Sequence, residues 1–345
     1  MHKIVVASMH KNAGKTSVII GLAKALAKPC GYLKPLGDRL LYRKKRLWDY
    51  DSELLTHLLV ITERPEDISL GFEHAKLRYM YDEAAIAAKL REKAAAAGAN
   101  KEALFVEAGN TMHFGASVHL DAITVARALE AKLLLVVGGD EDEVLDDIAF
   151  VKEYLDPTHA AFAGVIINKI KDPDDFQRTS RKAIDQAGIR VFGQIPFVED
   201  LTGMSVRYLV DHLFARVVAG ESGLDREVRN IFVGSMSVAA AHQHPVFTKP
   251  HRLIIASGDR SDMILAALDT NAACVVLTNN ILPPANIIAR AESAHMPLLE
   301  VPWDTYRAAQ EIDRVDPLLT KNDTGKIDLL TRLVNEHVDI AGLMA

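Results

Sequence analysis

Cysteine is nearly absent. Cys30 and Cys274 are the only two in 345 residues, they lie far apart, and neither sits in a partner motif. That excludes a disulfide framework and fits a reducing, cytoplasmic setting. Long apolar runs are missing: no stretch approaches the ~18–20 residues of a spanning helix, so no membrane association is expected. The opening Met1-His2-Lys3-Ile4-Val5-Val6 runs straight into a strand pattern and lacks the shape of a signal peptide. Excess positive charge is missing too. With 40 Lys and Arg against 46 Asp and Glu, the net charge of −6 argues against nucleic acid as a partner. There is no Gly-x-Ser-x-Gly elbow and no Cys–His context for nucleophilic catalysis. Among the 13 histidines, His242-Gln243-His244 precedes Pro245, and His113 and His119 flank Gly115. Neither group has a Cys or acid at zinc spacing.

What is present is apolar content of 49%, ordinary for a globular chain and sufficient for a large core. At ~150 residues per domain, the length suggests two domains. Short apolar runs alternate with helical patterns: strands at Lys3–Ser8, Gly31–Leu33, Leu104–Glu107, Leu133–Val137, Val165–Asn168 and Val191–Ile195. Helices are expected at Thr16–Ala27, Ser52–Val60, Asp82–Ala97, Ile123–Leu129, Val144–Tyr154 and Thr179–Ala187. Strands separated by helices of this length imply an α/β fold with a parallel sheet covered on both faces. The rhythm restarts after about Leu201, with strands at Val228–Val233, Leu253–Ala256, Ala273–Leu277 and Leu298–Val301. A last amphipathic helix spans Thr324–Val338, with Asn322-Asp323-Thr324-Gly325 supplying its cap. The expected domains are 1–205, and a smaller α/β domain over 206–345 that includes this helix.

The strongest motif is Ser8-Met9-His10-Lys11-Asn12-Ala13-Gly14-Lys15-Thr16, followed by Ser17, between the first strand and the first helix. Its Gly-Lys-Thr ending in a strand–loop–helix context is that of a P-loop. Backbone N–H groups from His10 to Ser17 and the helix N-terminus surround a phosphate, and Gly14 permits close approach. Lys15 carries a charge to the β/γ-phosphates, and the Thr16 hydroxyl suits Mg²⁺. Met9 stands where the motif usually opens on glycine. Lys34-Pro35 follows the second strand, and Leu104-Phe105-Val106-Glu107-Ala108-Gly109 ends a buried strand on an acid. Glu107, after so apolar a run, requires a cation or donors to offset its desolvation.

In this order of motifs the chain resembles the dethiobiotin synthetase-like branch of P-loop proteins, which includes the cobyrinic acid diamide synthase family. Those enzymes use ATP to activate a carboxylate or carbamate as a mixed phosphoric anhydride. By resemblance, Lys34 faces the phosphates or a substrate carboxylate, joining Lys15 as a catalytic candidate, and Glu107 holds Mg²⁺ with Thr16. An acid after the second strand often assists, and Asp51 is the first choice with Asp49 second. Both aspartates also suit a helix cap. Related proteins place an Asn like Asn168 at the adenine edge, near the strand end Gly193-Gln194-Ile195-Pro196; the alternative for Asn168 is a turn cap. Gly138-Gly139-Asp140 reads as a turn and helix cap, and Arg43-Lys44-Lys45-Arg46 as a solvated loop or phosphate-facing edge. Beyond nucleotide Mg²⁺, no metal site is expected.

In the second half, Gly258-Asp259-Arg260-Ser261-Asp262, Thr278-Asn279-Asn280 and Pro302-Trp303-Asp304-Thr305-Tyr306 all follow strands, where open α/β sheets collect ligands. With Val233-Gly234-Ser235-Met236-Ser237 they resemble the DRTGG domain. Asp259, Arg260, Asp262 and Asp304 form the candidate small-molecule site there, unless Arg260 serves only to hold its turn. The pair of domains resembles the N-terminal regulatory part of long-form phosphate acetyltransferases. The length leaves no room for the acetyltransferase domain, so acetyl transfer is not expected. The resemblance implies an ATP- and Mg²⁺-binding regulatory or nucleotide-sensing protein, dimeric as a homo-oligomer. The alternatives are an ATP-dependent carboxylate-activating ligase, and a scaffold whose altered loop binds no nucleotide.

Overall fold

Six apolar segments of the first half lie side by side in a computed structural model that describes residues 1–43, 46–154 and 161–345. They are β1 (His2–Ala7), β2 (Cys30–Leu33), β3 (Ala103–Glu107), β4 (Lys132–Gly138), β5 (Ala161–Ile170) and β6 (Val191–Pro196). The sheet order is β2-β3-β1-β4-β5-β6, and every pairing is parallel. Ile4, Val5 and Val6 of β1 and Leu133 to Val137 of β4 are wholly buried. Such unbroken apolar runs are what a sheet covered on both faces demands. The chain leaves β1 into helix α1 (Lys15–Leu26) and returns beyond β3 as β2. The turn after β1 therefore opens at a switch in strand order, where such sheets leave a crevice. The register pairs Val6 with Glu107 and Gly138 with Asn168, setting both polar residues at the same end of the sheet as that turn.

Helix starts follow local chemistry. Asp82 and Asp121 accept the N–H groups of Ala85 (2.8 Å) and Thr124 (3.0 Å). Asp140 and Glu143 exchange reciprocal bonds of 3.0 and 3.2 Å at the start of helix Glu141–Tyr154, a capping box at the turn the sequence marks. Asp323 differs from expectation. It stands at the cap position of helix Thr324–His337, but its carboxylate turns back to accept from Thr320 N and Oγ1 at 2.6 and 2.9 Å. Lys44 and Lys45 of the basic run lie outside the described residues.

The chain divides into two compact units, Met1–Val198 with Thr320–Ala345, and Glu199–Leu319. The helix Thr324–His337, expected with the second domain, thus belongs to the first. The reason lies in α1, where every residue from Val18 to Ala23 is buried. A helix apolar all round needs cover on the face turned from its sheet. Ile327, Leu330, Leu333 and Val334 supply it, and α1 approaches so closely that a Cβ on Gly21 would lie 2.4 Å from Val334 Cγ2. The chain then caps the open edge of β6, with Asp339 N donating to Phe192 O at 2.7 Å.

The second unit carries β7 (Arg216–Ala219), β8 (Asn230–Val233), β9 (Arg252–Ser257), β10 (Cys274–Thr278) and β11 (Leu298–Glu300), in the order β7-β11-β10-β9-β8. Within this sheet only β7 runs antiparallel. Four residues long and at an edge, it escapes the sequence pattern, as does the hairpin of Leu40–Arg43 with Arg46–Asp49 in the first unit. Among the described residues, no helix is long and apolar enough to cross a membrane.

Gly21→Val should overpack the seam between α1 and the C-terminal helix and destabilise the protein by about 1–3 kcal/mol. Gly325→Ala, in the same C-terminal helix with open space around it, should cause no loss. Thermal denaturation of the two variants checks the assignment of that helix to the first unit.

Candidate functional site

The loop after β1 is held from three sides. Gly14 caps α1 at φ 100°, and a Cβ there would lie 2.3 Å from Asn168 Nδ2. Both the backbone angle and the space therefore require glycine. Asn168 donates to Ala13 O at 2.9 Å, and Lys169 reaches Asn12 O at 2.6 Å. Asn168, expected at the adenine edge, thus uses one amide N–H to brace the loop from the end of β5. Ser8 donates to His10 O at 2.8 Å and accepts from Lys15 Nζ at 2.8 Å. Lys11 is exposed and Ser17 half-buried. Burial holds the Lys15 ammonium below its ordinary pKa, against the pull of Glu107 and Asp38. Pro196, half-buried at the end of β6, borders a cleft of about 530 Å³ with Pro173, Gln177, Phe192 and Gln194.

The strand ends bring in the charges. Thr16 Oγ1 donates to Glu107 Oε1, and Tyr32 OH to Glu107 Oε2, both at 2.9 Å. Tyr32 and Lys34 alternate outward from β2 on one face, so the strand period delivers both to Glu107. Lys34, only 1% exposed, lies 2.6 Å from Asp51 Oδ2 and from Asp38 Oδ1, 3.3 Å from Asp49 Oδ2 and 4.0 Å from Glu107 Oε1. The contact with Asp38 is an ion pair without hydrogen-bond alignment, which leaves Asp38 Oδ1 without a hydrogen bond. Burial works against the ammonium, but four surrounding carboxylates hold its pKa well above the ordinary lysine value.

Asp49 and Asp51 separate into two roles. Asp49 caps helix α2 (Tyr50–Leu58) through Ser52 N at 3.0 Å and accepts from Asp38 N and Arg39 N, both at 3.0 Å. Burial raises its pKa despite Lys34. Asp51 is also buried, yet Lys34 and Arg39 hold its pKa below the ordinary range. Arg39 Nη1 stands 3.3 Å from Asp51 Oδ1, and its Nη2 donates to Asn12 Oδ1 at 2.7 Å, tying the acids to the loop. Asp38, Arg39 and Tyr32 were not foreseen. Tyr32 carried a signal, its place two residues before Lys34 on a strand; Asp38 and Arg39 arrive only through the turn before the hairpin.

In the second unit, Arg260 uses all three of its guanidinium nitrogens. It grips Asp262 with two bonds of 2.9 and 3.0 Å and donates to the carbonyls of Gly234 (3.2 Å) and Met236 (2.9 Å). Asp304 caps its own helix through Arg307 N at 2.8 Å, and Asp259 is exposed. Of the four residues expected at a ligand site, Arg260 and Asp262 hold a turn and Asp304 caps a helix.

With this geometry in view, residues 2–205 match the family model described as an AAA domain. The chain belongs to the AAA domain family. In this AAA-domain protein, residues 208–315 match the DRTGG domain. The phosphate acetyltransferases of Pseudomonas aeruginosa and Nitrosomonas europaea are 25% and 23% identical to it, over 99% and 98% of this chain and 52% and 50% of their own lengths. The chain spans about half the length of the curated relatives it matches. Among solved structures, the MinD cell division protein of Aquifex aeolicus covers 58% of this chain and 84% of its own, at 16% identity and TM-score 0.36. The CBS and DRTGG domains of Clostridium perfringens pyrophosphatase, complexed with the activator diadenosine tetraphosphate, cover 36% of this chain and 53% of their own, at 18% identity and TM-score 0.30.

Burial pushes the Glu107 carboxyl up to about 7, with Asp51 adding to the effect and Lys34 and Lys15 opposing it. Between its ordinary 4.5 and about 7, the folded protein holds a proton that the unfolded chain has released. Stability from this group is complete below the lower value and is lost as pH rises through the upper one. In metal-free buffer, Glu107→Gln should therefore gain on the native protein between pH 5 and pH 8, by up to ~3 kcal/mol. Paired melting curves at the two pH values check the sign. Asp304→Ala should cost about 1 kcal/mol by loss of the cap, read from denaturant unfolding.

Proposed function

We propose that this AAA-domain protein binds ATP with Mg²⁺ and serves a regulatory, nucleotide-sensing role in which the DRTGG unit reads or transmits the bound state. The observation that carries the reading is the cradle at Gly14, with Lys15 at the start of α1 and Thr16 bonded to the buried Glu107. Backbone N–H groups from His10 to Ser17 would receive the phosphates at the helix N-terminus. Lys15 supplies its counter-charge. Thr16, Glu107 and Asp51 offer only hydroxyl and carboxylate oxygens, a donor set suited to a hard cation such as Mg²⁺. Glu107 is a buried acid whose proton a cation would replace. Bound Mg²⁺ would neutralise phosphate charge; the chain's own groups bind and orient the nucleotide. Pro196 borders the cleft beside β6 as a candidate for the base end.

The alternative, a ligase that activates a carboxylate, needs Lys34 as a charge for phosphate or substrate. Lys34 is instead saturated by Asp38, Asp49 and Asp51, which favours the regulatory reading. Residues 1–205 form the nucleotide domain in this proposal, completed by the C-terminal helix, and the protein works as a soluble dimer.

Calorimetric titration with ATP and Mg²⁺ should show binding that Lys15→Ala weakens at least tenfold. Equal affinity in both proteins, or none in either, would overturn the reading. ADP release that depends on an added carboxylate would move the assignment to the ligase.

A further inference from the structure

Helix Glu141–Tyr154 buries a stripe made of Val144, Asp147, Ile148 and Val151. Three of these are apolar, and the fourth is an acid at a core position. Its side chain is 7% exposed, and its Oδ2 is buried with no hydrogen-bond partner. A carboxylate out of water is costly unless something offsets it. Here its one hydrogen-bonded partner among the described residues is His10 of the phosphate loop, whose Nε2 lies 3.0 Å from Asp147 Oδ1.

The backbone of His10 is tied as well. Its carbonyl accepts from Ser8 Oγ, which in turn accepts from Lys15 Nζ. The ring is nonetheless 54% exposed. With Nε2 turned to Asp147, Nδ1 is the ring atom left to meet a ligand, and a protonated imidazole donates from both nitrogens at once. An imidazole set between two acceptors, the carboxylate and a phosphate, needs an N–H on each nitrogen to serve both. Glu143 and Asp146 add negative charge from the same helix, while Lys11 neighbours His10 on the loop and Lys169 reaches the loop at Asn12 O from β5.

We infer that the His10–Asp147 pair is a positioning device for the nucleotide, holding the imidazolium so that Nδ1–H donates to the terminal phosphate. This rests on the nucleotide-binding reading above. It adds a switchable charge to the fixed one of Lys15, from a residue outside the Gly-Lys-Thr ending, and gives the buried Asp147 a role no loop motif would reveal. It also makes nucleotide affinity depend on the protonation of one histidine.

The test titrates ATP and Mg²⁺ into the full chain at pH 6.0 and pH 8.5, for the native protein, His10→Gln and Asp147→Asn. At pH 6.0 both variants should bind three- to tenfold more weakly than native; at pH 8.5 the ratio should approach one. Taking ratios at each pH cancels the ionisation of ATP itself. The NMR signals of the His10 imidazole should titrate at higher pH with ATP bound than without it, and this measurement stands even where a variant fails to fold. Native-like binding by both variants at pH 6.0, or the same loss at both pH values, would reduce the pair to a loop tether and overturn the inference. A native protein that binds no nucleotide would overturn the proposed function and this inference with it.

Discussion

A single ammonium group taken out of water organises the charged end of the first sheet. Lys34 stands among Asp38, Asp49, Asp51 and Glu107, and the last three also hold other groups. Asp49 caps a helix and ties down the turn that carries Asp38 and Arg39. Glu107 receives the hydroxyls of Thr16 and Tyr32, and Asp51 meets Arg39. Removing one member of such a group strands the others in a low-dielectric setting, which costs far more than the pair contributes when whole. The turn after β2, the hairpin, helix α2 and the phosphate loop are thus joined electrostatically as well as by packing.

Around that charged end the apolar fold is arranged so that α1 cannot drift. It is covered on one face by the sheet and on the other by a helix drawn from the far end of the chain. The phosphate loop opens directly into α1, so the same packing that stabilises the core also fixes the positive end of that helix dipole. Asn168, Lys169 and Arg39 complete the frame by holding Ala13 and Asn12 from neighbouring strands and turns. A loop held this firmly has little conformational freedom left to lose.

The second unit shows how similar residues serve a different end. Arg260 and Asp262, candidates for a small-molecule site in the sequence, pair with each other, and Arg260 also donates to two backbone carbonyls. A guanidinium with five donors can close a turn by itself, and here it does. Arg252, buried in the same unit, donates from Nη1 and Nη2 to the carbonyls of Lys249 and Thr270, while its Nε is buried without a partner. Conspicuous arginines in this half hold backbone in place.

Strand and helix positions, the α/β class, the phosphate loop and Glu107 at a strand end were legible in the chain alone, because they depend on local periodicity and on spacing within a single strand–turn–helix. Lys34 was legible as a candidate, but its saturation by three aspartates was not, since Asp38, Asp49 and Asp51 converge only after a turn and a hairpin fold back. The short edge strand Arg216–Ala219 and that hairpin left too few residues for a period to show. Asp147 looked like one acid in an acidic helix until the packing showed which face it shares. The ownership of the C-terminal helix was likewise beyond the sequence: its apolar stripe announces that it must be covered, but an apolar stripe does not say by what. Local pattern determined what each segment would become; only tertiary packing decided which charges would lose water together and which helix would close over α1, because both depend on distances between residues far apart in the chain.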